Sequence, residues 1–87
     1  MAATLPNIDP AVFNSLKSGD ERAFERLFRE QFAALLAEAT PILDGDGASA
    51  GRAAETVFVQ VWQGRADFAT PEALQGFLRA AIHEAAA

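Results

Sequence analysis

Three acidic residues have a spacing that suits a calcium ion. Asp44, Asp46 and Glu55 fall at the first, third and twelfth positions of a calcium-binding loop. However, Ala48 offers no oxygen ligand at the fifth position, and Ser49 replaces the glycine needed for the sharp turn at the sixth. We therefore interpret the segment as an Asp-Gly-Asp-Gly turn before a helix, without a metal.

Catalytic residue types are also scarce in this chain. His83 is the single histidine, and it lies in an alanine-rich segment one helical turn after Arg79 with no evident nucleophile. The chain has no cysteine, which excludes disulfides, thiolate chemistry and a structural zinc site. The glycines stand singly or in the turn, so a glycine-rich phosphate loop is absent. We expect a protein that is not an enzyme and has no cofactor.

Length and composition indicate one folded domain. The chain has 87 residues, of which 51% are apolar, and this excludes a disordered chain and a second module. It does not open with a basic region followed by an apolar stretch, and no apolar run reaches membrane-spanning length. We expect a cytoplasmic location without membrane contact.

The negative charge is concentrated in one part of the sequence. Residues 1–29 contain four bases and four acids, whereas residues 30–87 contain three bases and eight acids, which accounts for the net charge of −5. A surface that follows DNA phosphates needs a concentration of Lys and Arg. We expect weak or no DNA binding by the chain alone, and a protein as its partner.

Capping residues and apolar spacing predict two helices in the first half. Asp9 and Pro10 start a short helix over about residues 10–18, and Gly19 ends it. Asp20 caps a long amphipathic helix, in which Pro41 predicts a kink or an early stop.

Two further helices follow the turn. Ser49 is the expected cap of the third helix and Gly64 its end, and Pro71 opens the fourth. The fold class is all-α: a compact bundle of three longer helices plus a short N-terminal helix, in one domain over residues 1–87 with a flexible segment over 1–9. Because the fourth pattern has no stop signal, we expect a domain cut, or diverged, from a longer protein. The expected core contains Phe24, Leu27, Phe28, Leu35, Val57, Phe58, Val61, Trp62, Leu74, Phe77, Leu78 and Ile82.

Three motifs follow one another in this chain: Asp20-Glu-Arg-Ala-Phe-Glu-Arg-Leu-Phe-Arg29, Glu55-Thr-Val-Phe-Val-Gln-Val-Trp62 and Phe77-Leu-Arg79. Their order and spacing resemble region 2 of bacterial sigma factors of the extracytoplasmic-function type. The resemblance covers approximately residues 10–87, and it implies a sigma region 2-like fold and a role in transcription. Apolar positions of the family's motifs are kept, but polar positions are mostly changed.

The changes affect the positions that bind RNA polymerase in the family. Acidic and amide pairs of the family's third helix face the polymerase clamp helices, and the corresponding positions here are Gly51, Arg52, Glu55 and Thr56. Only Glu55 keeps a side chain of similar shape. Arg52 reverses a charge, and like charges across an interface are costly. Ordinary docking to polymerase is therefore not expected.

Positions that contact promoter DNA in the family are altered too. In the loop that captures an unstacked base, only Arg65 and Phe68 are suitable for contact, and Arg79 and His83 follow on the fourth helix. Glu84 stands where the family has an amide, and a carboxylate repels phosphate. These four residues, Arg65, Phe68, Arg79 and His83, form a weak candidate nucleic-acid site.

Three functions remain open at this point. The first is a regulatory protein-interaction module with the sigma region 2 shape, whose partner is the polymerase clamp, an anti-sigma factor or another domain of a larger protein. The second is a divergent sigma factor fragment that binds polymerase and −10 promoter DNA, and the third is an unrelated small helical bundle. For the first function, helical spacing predicts an exposed partner-binding face made of Arg52, Glu55, Thr56, Val59 and Gln60.

Overall fold

Four α-helices make up most of the chain in the computed structural model, which describes residues 5–86. They are α1 (Pro10–Lys17), α2 (Glu21–Ile42), α3 (Gly47–Gln63) and α4 (Pro71–Ala86). A single 3-10 turn, Arg65–Asp67, connects α3 to α4. The expected all-α bundle of three longer helices and a short leading one is confirmed.

Aspartate side chains start the first three helices. Asp9 accepts a hydrogen bond from the amide of Ala11 at 2.8 Å, and Asp20 accepts one from the amide of Arg22 at 2.9 Å. Each carboxylate satisfies an amide that has no partner inside the helix, and its negative charge suits the positive end of the helix dipole.

The cap of α3 differs from the prediction. Asp46, and not Ser49, is the N-cap, so the helix begins earlier than expected. Asp46 accepts hydrogen bonds from the amides of Ala48 and Ser49 and from the Ser49 hydroxyl at 2.8 Å. The Ser49 hydroxyl is the largest cause of a lowered pKa of Asp46, followed by the Ser49 amide. A carboxylate with several donors is a stronger cap than the serine hydroxyl three residues later.

Pro41 produces an early stop of α2, which is one of the two outcomes predicted from the sequence. The helix ends at Ile42, one residue after the proline, so few backbone hydrogen bonds are lost. Asp44 then takes a left-handed conformation with φ of 55°, and the Gly45 amide donates to the Thr40 carbonyl at 2.8 Å. This hydrogen bond has the pattern of a Schellman stop, which reverses the chain towards α3.

The core lies where α2, α3 and α4 pack against one another, with α1 against α2. Eight residues of the expected core are buried: Leu27, Leu35, Val57, Phe58, Val61, Leu74, Leu78 and Ile82. The other four, Phe24, Phe28, Trp62 and Phe77, are only half-buried and pack against it. Their rings form an edge of the core, where Phe24 lies 5.1 Å from Trp62 and Phe28 lies 4.8 Å from Phe58 between ring centroids.

The residues before α1 are packed, although the sequence predicts a flexible segment there. Leu5 and Ile8 are buried in the same core as the helices. Gln31 of α2 donates to the Pro6 carbonyl, and Gln75 of α4 donates to the Leu5 carbonyl, each at 2.9 Å. We call residues 5–8 the strap. The expectation is therefore corrected for residues 5–9, while residues 1–4 lie outside the described residues.

The helices form a compact unit. The radius of gyration is 12.3 Å, close to the value of about 12 Å expected for a compact domain of this length. Within residues 5–86, none of the helices combines the length and the apolar character needed to cross a membrane.

Candidate protein-interaction surface

The outer face of α3 carries the five residues predicted to bind a partner. All five are exposed: Arg52, Glu55, Thr56, Val59 and Gln60. They alternate at helical spacing with the buried residues Ala53, Val57, Phe58 and Val61, which hold α3 in the core. The inward set fixes the rotation of the helix, and the rotation presents the other five residues to solvent.

Val59 is the apolar residue of this outer face. Its side chain is 54% exposed, and Ile42, at 37%, is the only other large apolar residue that is exposed in residues 5–86. Exposed single apolar residues are common on proteins, but one surrounded by polar residues suits the centre of a small contact.

The polar groups of the outer face have few partners within the chain. Thr56 donates its hydroxyl to the Arg52 carbonyl at 3.0 Å, a contact inside the helix. Neither Arg52 nor Glu55 forms an ion pair with another residue of the described region. One positive and one negative side chain are thus free to pair with charges of another molecule.

A groove runs beside the outer face, between α3 and α4. Its volume is about 650 Å³, and Thr56 and Gln60 belong to both the face and the groove. The other lining residues are Gln63, Phe77, Ala80, Ala81, Glu84 and Ala85. Small side chains on α4 keep the groove open because they leave room between the two helices.

A second depression extends this groove towards the start of α3. It has a volume of about 370 Å³ and shares Thr56 and Ala85 with the first, and Arg52 lies at its edge. The combined surface is therefore longer than the predicted five-residue face. In the sequence, the contribution of α4 to this surface is indicated by two alanines at helical spacing, at residues 81 and 85.

Arg65, from the candidate nucleic-acid set, is occupied by contacts inside the domain. Its Nη1 donates to the Trp62 carbonyl at 2.6 Å, and its guanidinium carbon lies 4.1 Å from the centroid of the Trp62 ring. A cation over an aromatic ring is attracted by the electron density of the ring face. The contact holds the 3-10 turn against the end of α3.

Phe68 also packs inside the domain. Its ring centroid lies 5.2 Å from that of Phe77, and the ring is half-buried. A base that stacked on Phe68 would have to compete with this contact.

Arg79 and His83 lie on another side of α4. Arg79 is two positions after Phe77, which places the two side chains about 160° apart around the helix. His83 Nε2 lies 3.0 Å from Glu38 Oε2 of α2, and because a carboxylate only accepts hydrogen bonds, the ring N–H donates there. The structure thus engages Arg65 and Phe68 in separate contacts inside the domain, with Trp62 and Phe77 respectively, and places Arg79 and His83 on a different face of α4.

The acidic residues with calcium-like spacing take other positions. Asp46 caps α3, and Glu55 is exposed two turns further along this helix. Within residues 5–86 no group of three His, Asp or Glu side chains is placed to hold a metal ion.

No protein-family model, curated protein or solved structure matches the chain significantly. The arguments for function therefore come from the motifs of the sequence and the geometry of the surface.

Proposed function

We propose that this chain is a regulatory protein-interaction module related to transcription, with the shape of a sigma factor's region 2 and without most of its promoter-binding residues. It acts in the cytoplasm, and it binds a protein through the outer face of α3 and the adjoining groove. The partner is the polymerase clamp, an anti-sigma factor or a further domain of a larger protein.

The observation that carries this proposal is the exposure of Val59 beside two charged side chains that have no ion-pair partner among the described residues. Arg52 and Glu55 are free of ion pairs with other described residues, and the groove beside them has space for side chains of a partner. Protein contacts commonly combine an apolar centre with a polar rim, and this surface has both.

Charge argues for a protein rather than DNA. Residues 30–87 carry eight acids and three bases, and the surface includes the carboxylates of Glu55 and Glu84. Two of the four candidate DNA-contacting residues, Arg65 and Phe68, are engaged with Trp62 and Phe77. A titration of a labelled single-stranded −10 element is expected to show no saturable binding at physiological salt. Saturation at low micromolar protein, weakened by Arg65→Ala, would favour a divergent sigma fragment instead.

The test of the surface uses Val59→Asp, with Ala37→Asp as a matched control. Ala37 is exposed on α2, away from the α3 face, so both variants add one carboxylate to an exposed helical position. Each chain is used as bait in a bacterial lysate. A partner of the outer face is retained by the parent and by Ala37→Asp, and its affinity for Val59→Asp falls at least about tenfold because a desolvated charge enters the contact.

A second variant separates a polymerase partner from another protein. Arg52→Asp with Thr56→Glu restores acidic side chains at two positions that correspond to the clamp-binding residues of the resembling family. A diverged clamp-binding face gains affinity for purified polymerase, whereas a face with a different partner loses that partner. If the folded double variant changes neither interaction, the outer face of α3 is not the binding surface.

A further inference from the structure

Four exposed residues form a narrow stripe along α3. They are Ala48, Arg52, Glu55 and Val59, and they lie within an arc of about 60° around the helix. Their successive spacings of four, three and four residues are the a and d spacings with which two helices pack side by side. The spacings are the same when the stripe is followed in the opposite direction. The stripe can therefore pack against an antiparallel copy of itself.

The antiparallel arrangement brings opposite charges together. Arg52 of each copy lies opposite Glu55 of the other, because the two residues are equally far from the centre of the stripe. This gives two equivalent ion pairs to side chains that form none with the described residues of their own chain. A two-fold dimer needs a self-complementary surface, and the charges of this stripe have that property.

The sizes of the side chains are complementary in the same arrangement. Val59 of one copy lies opposite Ala48 of the other, so the exposed apolar residue of α3 meets a small side chain at each end of the stripe. Beside the stripe, a Cβ atom on Gly51 would meet nothing within 4 Å. The packing of the domain itself therefore does not require glycine there, although glycine is unfavourable inside a helix and allows another backbone to approach closely.

We propose that a second copy of this chain binds the outer face of α3, in an antiparallel pairing of the two α3 helices with two Arg52–Glu55 ion pairs across a two-fold axis. The stripe spans only about three helical turns, so the contact is smaller than the roughly 1,200 Å² of typical stable interfaces. The net charge of −5 on each copy also opposes pairing. The dimer is therefore weak and depends on protein concentration.

This pairing would regulate the surface assigned above to a protein partner. The dimer covers Arg52, Glu55 and Val59, so self-association and partner binding exclude each other. Dilution of the chain, or an excess of the partner, exposes the outer face again. This regulatory consequence rests on the proposed function, whereas the dimer itself does not.

Exchange of charges tests the pairing in the full chain. Sedimentation equilibrium from about 10 μM to about 1 mM protein covers the dissociation constants of weak dimers. Arg52→Glu alone and Glu55→Arg alone each place like charges opposite one another, and each weakens self-association by about tenfold or more. An equimolar mixture of the two variants restores opposite charges across the axis, and so does one chain with both changes. Both associate within about threefold of the parent.

Arg22→Glu is the matched control for charge. Arg22 is exposed on α2, beside residues of α1, and its substitution changes the net charge as much as Arg52→Glu does. Because it lies outside the stripe, it weakens self-association by less than about threefold. A parent chain that stays monomeric throughout the concentration range overturns the proposal, and so does a mixture that does not restore association. A monomeric chain that still retains a lysate partner through Val59 leaves the proposed function standing, while a dimer without such a partner gives the opposite result.

Cross-linking tests the direction of the two helices independently. The chain has no cysteine, so Ala48→Cys and Val59→Cys chains each carry a single thiol. In the antiparallel pairing, position 48 of one copy lies opposite position 59 of the other. Two positions 59 are about 16 Å apart along the helix axis, which is too far for a disulfide. Mild oxidation of the mixture gives the mixed disulfide dimer, whereas Val59→Cys alone stays uncross-linked at the same concentration. Efficient cross-linking of Val59→Cys with itself would contradict the proposed pairing.

Discussion

The polar side chains of α2 and α4 differ from those on the outer face of α3 in how they are paired. On α2 and α4, several polar side chains have partners within the chain: Arg26 pairs with Glu30, Glu38 pairs with His83, and the Gln31 amide donates to the strap. On the outer face of α3, Arg52 and Glu55 have no ion-pair partner in the described region, and Val59 is exposed beside them. Side chains that a domain has not used for its own stability are available for a partner.

The largest expected effect contrasts two neighbours on α3. Phe58 is 1% exposed, whereas Val59 points outward. Phe58→Ala is expected to reduce the free energy of unfolding by about 3 to 5 kcal/mol, because it leaves a cavity in the core. Val59→Ala is expected to change it by less than about 0.5 kcal/mol. Urea denaturation of both variants measures the two values, and equal losses would show that the outer face is part of the stable core.

Trp62 sharpens the same contrast, because its ring is half-buried. Trp62→Ala is expected to cost less than Phe58→Ala, roughly half the 3 to 5 kcal/mol of a fully buried aromatic residue, since part of the ring already contacts water. The same denaturation experiment ranks the two. A larger loss for Trp62 would place the centre of the core nearer the 3-10 turn.

The next effect compares the strap with a helix. Leu5 and Leu27 are both buried, but Leu5 belongs to the strap and Leu27 to α2. Leu27→Ala is expected to cost about 2 to 5 kcal/mol. Leu5→Ala is expected to reduce the free energy of unfolding by less, at most about 2 kcal/mol. The strap can detach while the helices stay folded, and this local detachment sets an upper limit on the loss. Similar losses in both variants would mean that the strap unfolds only with the whole domain.

The smallest effect tests the pairing of charges on the two sides. A double-mutant cycle of Glu38→Gln and His83→Gln is expected to give a coupling of about 0.5 kcal/mol, because the Glu38 side chain is mostly covered while His83 is half-exposed. The matched cycle of Arg52→Gln and Glu55→Gln is expected to give no measurable coupling. Substantial coupling in this second cycle would contradict the idea of an unpaired outer face.

Much of the fold follows from local sequence patterns. Asp9 with Pro10 gave the start of α1, Gly19 its end, and Pro41 the approximate end of α2, because each residue acts on the few backbone groups next to it. The cap of α3 was misplaced because Asp46 and Ser49, three residues apart, are both favourable N-cap residues, and the spacing alone does not show which of them starts the helix.

Non-local packing explains what the sequence did not predict. The strap has no helical or strand pattern, and its order depends on Gln31 and Gln75, which are 25 and 70 residues from their acceptors. For the candidate surface, helical spacing predicts the exposure of all five α3 residues, since the buried residues between them set the rotation. The groove between α3 and α4 could not be predicted in the same way. It depends on where α4 packs, and the spacing of residues within α3 carries no information about that.

The contact of Arg65 with Trp62 has an optical consequence. Trp62 is the only tryptophan and the chain has no tyrosine, so the near-ultraviolet emission of the protein comes almost entirely from one indole. That indole contacts both the ring of Phe24 on α2 and the guanidinium of Arg65 in the 3-10 turn. Its emission is therefore a built-in reporter that responds when α3 separates from α2, or when the turn leaves the end of α3, without any added label.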